Sequence, residues 1–120
     1  MKKILIAEDE KPMAHALELK LNNSGFEAKA VFDGEEAMVE LEQNKYDLVL
    51  LDLMMPKLDG FGVLEKMKEK KMKVPTIVAT NLSQESDIAR AKDLGAVDYF
   101  VKSDTPIMEV IEHIKKIIGQ

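Results

Sequence analysis

The sequence contains no cysteine, which removes disulfides, thiolate metal ligands and cysteine nucleophiles and suits a reducing compartment. It also lacks any apolar run long enough to cross a bilayer. The opening MKKILIAEDE places acids directly after a mostly apolar stretch of six residues, too short even for the core of a signal peptide. Basic residues are outnumbered, seventeen Lys and Arg against twenty-two Asp and Glu for a net charge of -5. That is a poor match to a polyanion, so direct nucleic-acid binding is not expected. His15 and His113 are the only histidines, and neither has a partner at ligand spacing. No low-complexity tract and no Pro- or Ser-rich linker interrupts the chain. Residues 1–120 therefore read as one domain, long enough to bury a core without a disulfide or structural metal. Together these absences predict a soluble, cytoplasmic chain with protein partners and no membrane association.

What is present is a regular alternation. Short apolar runs recur at ILIA (4–7), AKAVF (28–32), LVLL (48–51), TIVAT (76–80) and VDYFV (97–101), and read as five strands. Between them apolar residues fall at three-and-four spacing, as in Phe61, Leu64 and Met67, and most clearly in Ile107, Val110, Ile111, Ile114, Ile117 and Ile118. Pro12 suits a first helical turn, Ser24-Gly25 and Gly95 suit helix ends, and Asp33-Gly34 and Asp59-Gly60 suit turns that lead into helices. Strict strand and helix alternation predicts a doubly wound α/β fold: a five-stranded parallel sheet, (βα)5, with helices on both faces. The eight methionines are read as gap-filling core, the lysine-rich KMKEKKMK (66–73) as a solvated helix end, and His15 as a solvated helix position.

Against this pattern the stretch LVLLDLMMPKLDG stands out, because Asp52 follows four apolar residues of a strand covered on both faces. An ionised carboxylate there costs several kcal/mol unless a cation or donors compensate it. In an open α/β sheet, ligands bind beyond the carboxyl ends of the strands where strand order reverses. The first strand ends in Glu8, Asp9 and Glu10, the third in Asp52, the fourth in Thr80 and the fifth in Lys102. In the order 2-1-3-4-5 these groups converge into an acidic pocket bordered by a hydroxyl and an ammonium. Clustered carboxylates raise one another's pKa unless a divalent cation neutralises them. Mg²⁺, an oxygen-seeking ion that keeps several waters, is the expected cofactor. Asp52 is the best candidate for a nucleophile that attacks a phosphoryl group, with Thr80 and Lys102 stabilising the transferred oxygens. Taken singly, Asp9 or Glu10 could instead cap the helix that starts near Pro12.

The ordered motifs ILIAEDE, LLDLMMPKLDG, IVATN and GAVDYFVKS resemble those of the receiver domain of bacterial two-component response regulators, of the chemotaxis-receiver type, over essentially the whole chain. The resemblance implies a flavodoxin-like fold and a phospho-acceptor switch, not a turnover enzyme. It implies that Asp52 is phosphorylated by a histidine kinase or histidine phosphotransfer protein. Mg²⁺ would be held by Asp9, Asp52 and the Met54 carbonyl, with Glu8 acting through water. Lys102 would pair with the phosphate, Thr80 would turn its hydroxyl toward it, and Tyr99 would rotate inward. The output face would lie at about residues 84–118. The chain ends at IIGQ directly after the last helix, so the output is expected to be a downstream protein or, if this is a piece of a longer regulator, its own output domain. A phosphorylation-dependent homodimer is a further expectation.

Three residues depart from the family's usual choices. Ser103 stands where proline commonly follows the lysine, often after a cis bond. Because cis before a non-proline costs about 2.5–4 kcal/mol, either a trans bond with a shifted loop or a strained cis bond is expected. Asn81 replaces alanine or glycine after the switch threonine, at the entrance for the phosphoryl group, and Glu8 lengthens one metal-site arm by a methylene. Met54 and Leu82 are apolar where relatives can position a hydrolytic water, which predicts slow self-dephosphorylation. Two other classes compete. A pseudo-receiver would bind proteins without being phosphorylated. An aspartyl-nucleophile phosphohydrolase would need a second acid two residues after Asp52, where Met54 stands. A flavin site is disfavoured because EDEKPM offers acids where a phosphate loop should be.

Overall fold

The computed structural model describes residues 1–119. Five strands, β1 (Lys3–Ala7), β2 (Glu27–Val31), β3 (Leu48–Leu51), β4 (Thr76–Thr80) and β5 (Asp98–Val101), alternate with five helices. The helices are α1 (Lys11–Asn23), α2 (Gly34–Gln43), α3 (Gly60–Glu69), α4 (Glu85–Asp93) and α5 (Ile107–Ile118). All strand pairs are parallel, in the order β2-β1-β3-β4-β5. The predicted topology is the observed one.

The period of two along each strand divides the core between the two faces of the sheet. Leu5, Val49, Leu51 and Val78 meet Ala37, Met38 and Leu41 of α2, Phe61, Val63, Leu64 and Met67 of α3, and Ala91 of α4. Ile4, Ile6, Leu48, Leu50 and Ile77 meet Leu17 and Leu21 of α1 and Val110, Ile111 and Ile114 of α5. This is why the strands read as unbroken apolar runs: both faces of β1, β3 and β4 are covered. Strand order reverses between β1 and β3, and their carboxyl ends form the crevice there.

The turns expected at Asp33-Gly34 and Asp59-Gly60 lead into helices, whereas no side-chain cap forms at α1. Asp33 caps α2 by accepting from the Glu36 N–H at 2.8 Å, and Asp59 caps α3 by accepting from the Gly62 N–H at 2.8 Å. Glu10 occupies the cap position of α1 without a side-chain cap bond, and Pro12 lies in the first turn. Helix α4 is the most lightly anchored, with Ala91 its single buried residue.

At the β2 edge, the outward N–H groups of Ala28, Ala30 and Phe32 are taken by the side chains of Asn22, Glu18 and Glu36 at 2.9, 3.0 and 2.8 Å. Among the described residues no helix is long and apolar enough to cross a membrane.

Candidate functional site

Ladder bonds carry the ends of β1 and β3 one residue further. The Glu8 N–H donates to the Val31 carbonyl at 3.0 Å and the Asp52 N–H to the Ala7 carbonyl at 2.9 Å. Glu8 and Asp52 are thereby fixed side by side at the mouth of the crevice, 1 % and 5 % exposed, with Asp9 beside them and open to solvent. One carboxylate oxygen from each of the three lies within 4.8 Å of the others.

Lys102 arrives from the far side of β4. It opens a short 3-10 turn, Lys102–Asp104, directly after β5. Its Nζ donates to Asp52 Oδ2 at 2.9 Å and, in a closer contact, to Glu8 Oε1. The bond to Ser103 is trans, as is every peptide bond among the described residues. The departure from proline is therefore met by the trans alternative, and Lys102 still reaches both carboxylates.

Backbone donors complete the cradle. The Glu10 N–H donates to Glu8 Oε2 at 3.0 Å and the Met54 N–H to Asp52 Oδ1 at 3.1 Å. Each Asp52 oxygen thus accepts one bond and retains acceptor capacity for a second.

Burial pushes the Glu8 carboxyl up from its ordinary value to about 7; the Lys102 and Glu10 hydrogen bonds pull it down, and the charge of Asp52 adds to the rise. For Lys102 burial pulls the other way, but hydrogen bonds to Glu8 and Asp52 outweigh it and the ammonium is held above the usual lysine range.

Thr80 ends β4 fully buried, and the Leu82 N–H lies 3.5 Å from its Oγ1. Tyr99, half-buried on β5, donates its hydroxyl to the Leu82 carbonyl at 2.7 Å. It is linked to the stretch after Thr80, and burial, with the charges of Asp87 and Asp52, raises its phenol pKa. Asn81 is exposed, Leu82 half-buried, and Met54 54 % exposed between the buried Leu53 and Met55. His15 is solvated as expected, its ring edge-on to Phe32, while His113 pairs with Asp98 at 3.0 Å.

Glu8, Asp9, Asp52 and Lys102 thus lie together as expected, and Gly60, expected only at a turn, has a closer part in the site. A Cβ at Gly60 would lie 2.4 Å from the Asp52 carbonyl oxygen. The glycine therefore lets α3 start against the Asp52 backbone itself.

The groups at the pocket able to ligate a metal are the carboxylate oxygens of Glu8, Asp9 and Asp52, a set that fits a hard divalent cation. The pocket is compatible with Mg²⁺ and a phosphoaspartate and is set at the carboxyl ends of a 2-1-3-4-5 sheet. The comparisons with known proteins agree. Residues 4–115 match the response regulator receiver domain family, and the chain belongs to it.

The chain is 38 % identical over 117 residues to the alkaline phosphatase synthesis transcriptional regulatory protein PhoP of Bacillus subtilis, spanning 98 % of this chain and 48 % of that one. It therefore covers about half the length of the curated relatives it matches. Among solved structures, the receiver domain of the Francisella response regulator 1452 superposes with a TM-score of 0.94 at 28 % identity, covering 99 % of this chain and 98 % of that one. The Thermotoga maritima response regulator TrrA, solved in complex with Mg²⁺ and BeF, gives 0.86 at 34 % identity, covering 98 % and 99 %.

Proposed function

We propose that residues 1–120 act as one receiver module in which Asp52 is phosphorylated in a Mg²⁺-dependent reaction. The observation that carries this reading is the Lys102 ammonium seated on both Glu8 and Asp52, with Asp9 beside them, at the ends of strands distant in sequence. Asp9, Asp52 and the Met54 carbonyl would hold the cation, with Glu8 acting through water. When bound, Mg²⁺ offsets the crowded negative charge and draws an oxygen of the incoming phosphoryl group toward Asp52.

An Asp52 carboxylate oxygen forms the new bond to phosphorus as the donor's bond to phosphorus breaks. The donor is a phosphohistidine on a histidine kinase or phosphotransfer protein. Lys102 and Thr80 bind the transferred oxygens. Thr80 is joined through the Leu82 segment to Tyr99, so its reorientation is felt at α4, the helix with the fewest buried anchors. A few hydrogen bonds to the charged phosphate, about 1–3 kcal/mol each, suffice to shift a two-state equilibrium tenfold or more. The output follows on the α4-β5-α5 surface, toward a downstream protein, an output domain or a second copy of the chain. The setting is cytoplasmic, and the chemistry is confined to the module's own phosphorylation and dephosphorylation.

Intact-protein mass after incubation with acetyl phosphate and Mg²⁺ tests the reading. One added phosphoryl group is expected, absent in Asp52→Asn and absent when the metal is chelated. No added mass, from acetyl phosphate or from a histidine kinase donor, would leave a pseudo-receiver. With Met54 and Leu82 apolar beside the attack path and Asn81 next to them, the phosphorylated form should persist well beyond seconds, followed by the same mass readout. Decay within seconds contradicts the roles given to these three residues.

A further inference from the structure

Helix α3 ends in a turn that its sequence does not favour. The Met72 N–H donates to the Met67 carbonyl at 2.9 Å and the Lys71 N–H to the Lys68 carbonyl at 3.1 Å. These are the paired bonds of a helix stop whose first residue past the cap is left-handed and is usually glycine. Here that residue is Lys71, at φ +57°. After α1, α4 and α5 the chain makes its positive-φ turn with Gly25, Gly95 and Gly119 instead. A strained backbone kept where glycine would be relaxed points to a use for the side chain. The helix dipole accounts for Lys66 and Lys68 in the last turn of α3, but Lys71 and Lys73 lie past the helix.

These lysines border a groove of about 520 Å³ between the turn after α3 and the start of β5. Lys68, Lys71 and Lys73 line it and are exposed, and no acid lines it. Met72 and Val74, both half-buried, and Val97, 54 % exposed, make part of the lining apolar. Lys68 donates to the Asp93 carbonyl at 3.4 Å, and the adjoining Lys70 pairs with Glu42 at 3.2 Å. The ammoniums of Lys71 and Lys73 have no acid within ion-pair distance among the described residues.

We propose that this groove docks an extended acidic segment of a partner protein, its carboxylates on Lys71 and Lys73 and its apolar side chains against Met72, Val74 and Val97. Charge complementarity selects an anion. The apolar lining, and a volume in the range of ligand clefts, select an anion that carries apolar side chains. Nucleic acid is the poorer fit, because the chain has a net charge of -5 and a single arginine to fork a phosphate. The groove lies at the amino ends of β4 and β5, and Asp52 follows the carboxyl end of β3 in the same parallel sheet. A segment held there leaves the acceptor pocket open, so its binding does not depend on phosphorylation.

The test is a titration of the full chain with a short synthetic peptide of mixed glutamate and leucine, followed by ¹H–¹⁵N spectra. Saturable shifts at residues 68–74 and 95–97 are expected, weakening as salt rises and absent when glutamine replaces glutamate in the peptide. Lys71→Gly relaxes the turn and removes the charge, so it should raise the urea midpoint of unfolding while weakening the peptide. Combined with Lys73→Gln it should weaken binding about tenfold. A lysine that only solvates the helix end would give the gain in stability without the loss of binding. No saturable shift in the groove, or equal binding by wild type and the double variant, overturns the proposal. So does duplex DNA that shifts the same residues at a lower concentration than the peptide, which assigns the groove to nucleic acid. Shifts in the groove when the chain alone is concentrated also overturn it, because they assign the groove to a second copy.

Discussion

Replacing Glu8 by glutamine probes the electrostatics of the pocket without a partner protein. Glu8 is 1 % exposed, and burial, the leading cause, lifts its carboxyl from 4.5 to about 7 in the folded chain. The unfolded chain keeps the ordinary value, so between the two the folded state holds a proton that the unfolded state has released. The stabilisation from that proton is complete below the unfolded value and is lost as pH rises through about 7. Between pH 6 and pH 8 the folded chain gives up most of one proton, a loss of about 1 kcal/mol in unfolding free energy. Glu8→Gln cannot titrate, so its stability should fall less over the same interval, by about that amount. Every other titrating group is common to both proteins, and the difference isolates position 8. The assay is urea unfolding followed by far-ultraviolet circular dichroism in a chelator, since the chain has no tryptophan. Parallel pH dependences in the two proteins would falsify the claim that Glu8 is held above its ordinary range.

Three further outcomes follow from the packing. Lys102→Ala removes the cation between two buried carboxylates and should cost about 3 kcal/mol at pH 8, less at pH 6 where Glu8 can take a proton; a urea-measured loss below about 1 kcal/mol would contradict the pairing. Phe26→Ala empties a site 1 % exposed in the α1 and α5 layer and should cost about 3–5 kcal/mol, lowering the urea midpoint with an unchanged slope. Asp33→Ala deletes the cap on the Glu36 N–H and should cost about 1 kcal/mol; no change in stability would show that the helix start does not depend on the carboxylate.

The architecture was legible because its causes are local and periodic. The alternation of apolar runs and helical spacing gave the five strands to within a residue at every end. Phe32, read into the second strand, lies just beyond β2, and Val97 just before β5. The pocket was legible for a topological reason: once the strand order is set, polar residues that end apolar runs must meet. The unread features depend on which backbones touch. Nothing in MPKLDG says that Lys57 takes a positive φ of 68° or that Gly34, more than twenty residues earlier, lies against Leu58. Likewise, the way Lys102 reaches its partners without a following proline depends on a 3-10 turn that has no periodic signature.

The guarded edge of β2 bears on how the domain lives among other chains. An open strand edge offers an incoming strand a row of free donors, and that offer is what drives sheets to grow. Here the three outward N–H groups already have partners in Asn22, Glu18 and Glu36. A newcomer would trade hydrogen bonds one for one, and two of the guards it must dislodge are carboxylates. Growth of the sheet from that side therefore gains almost nothing.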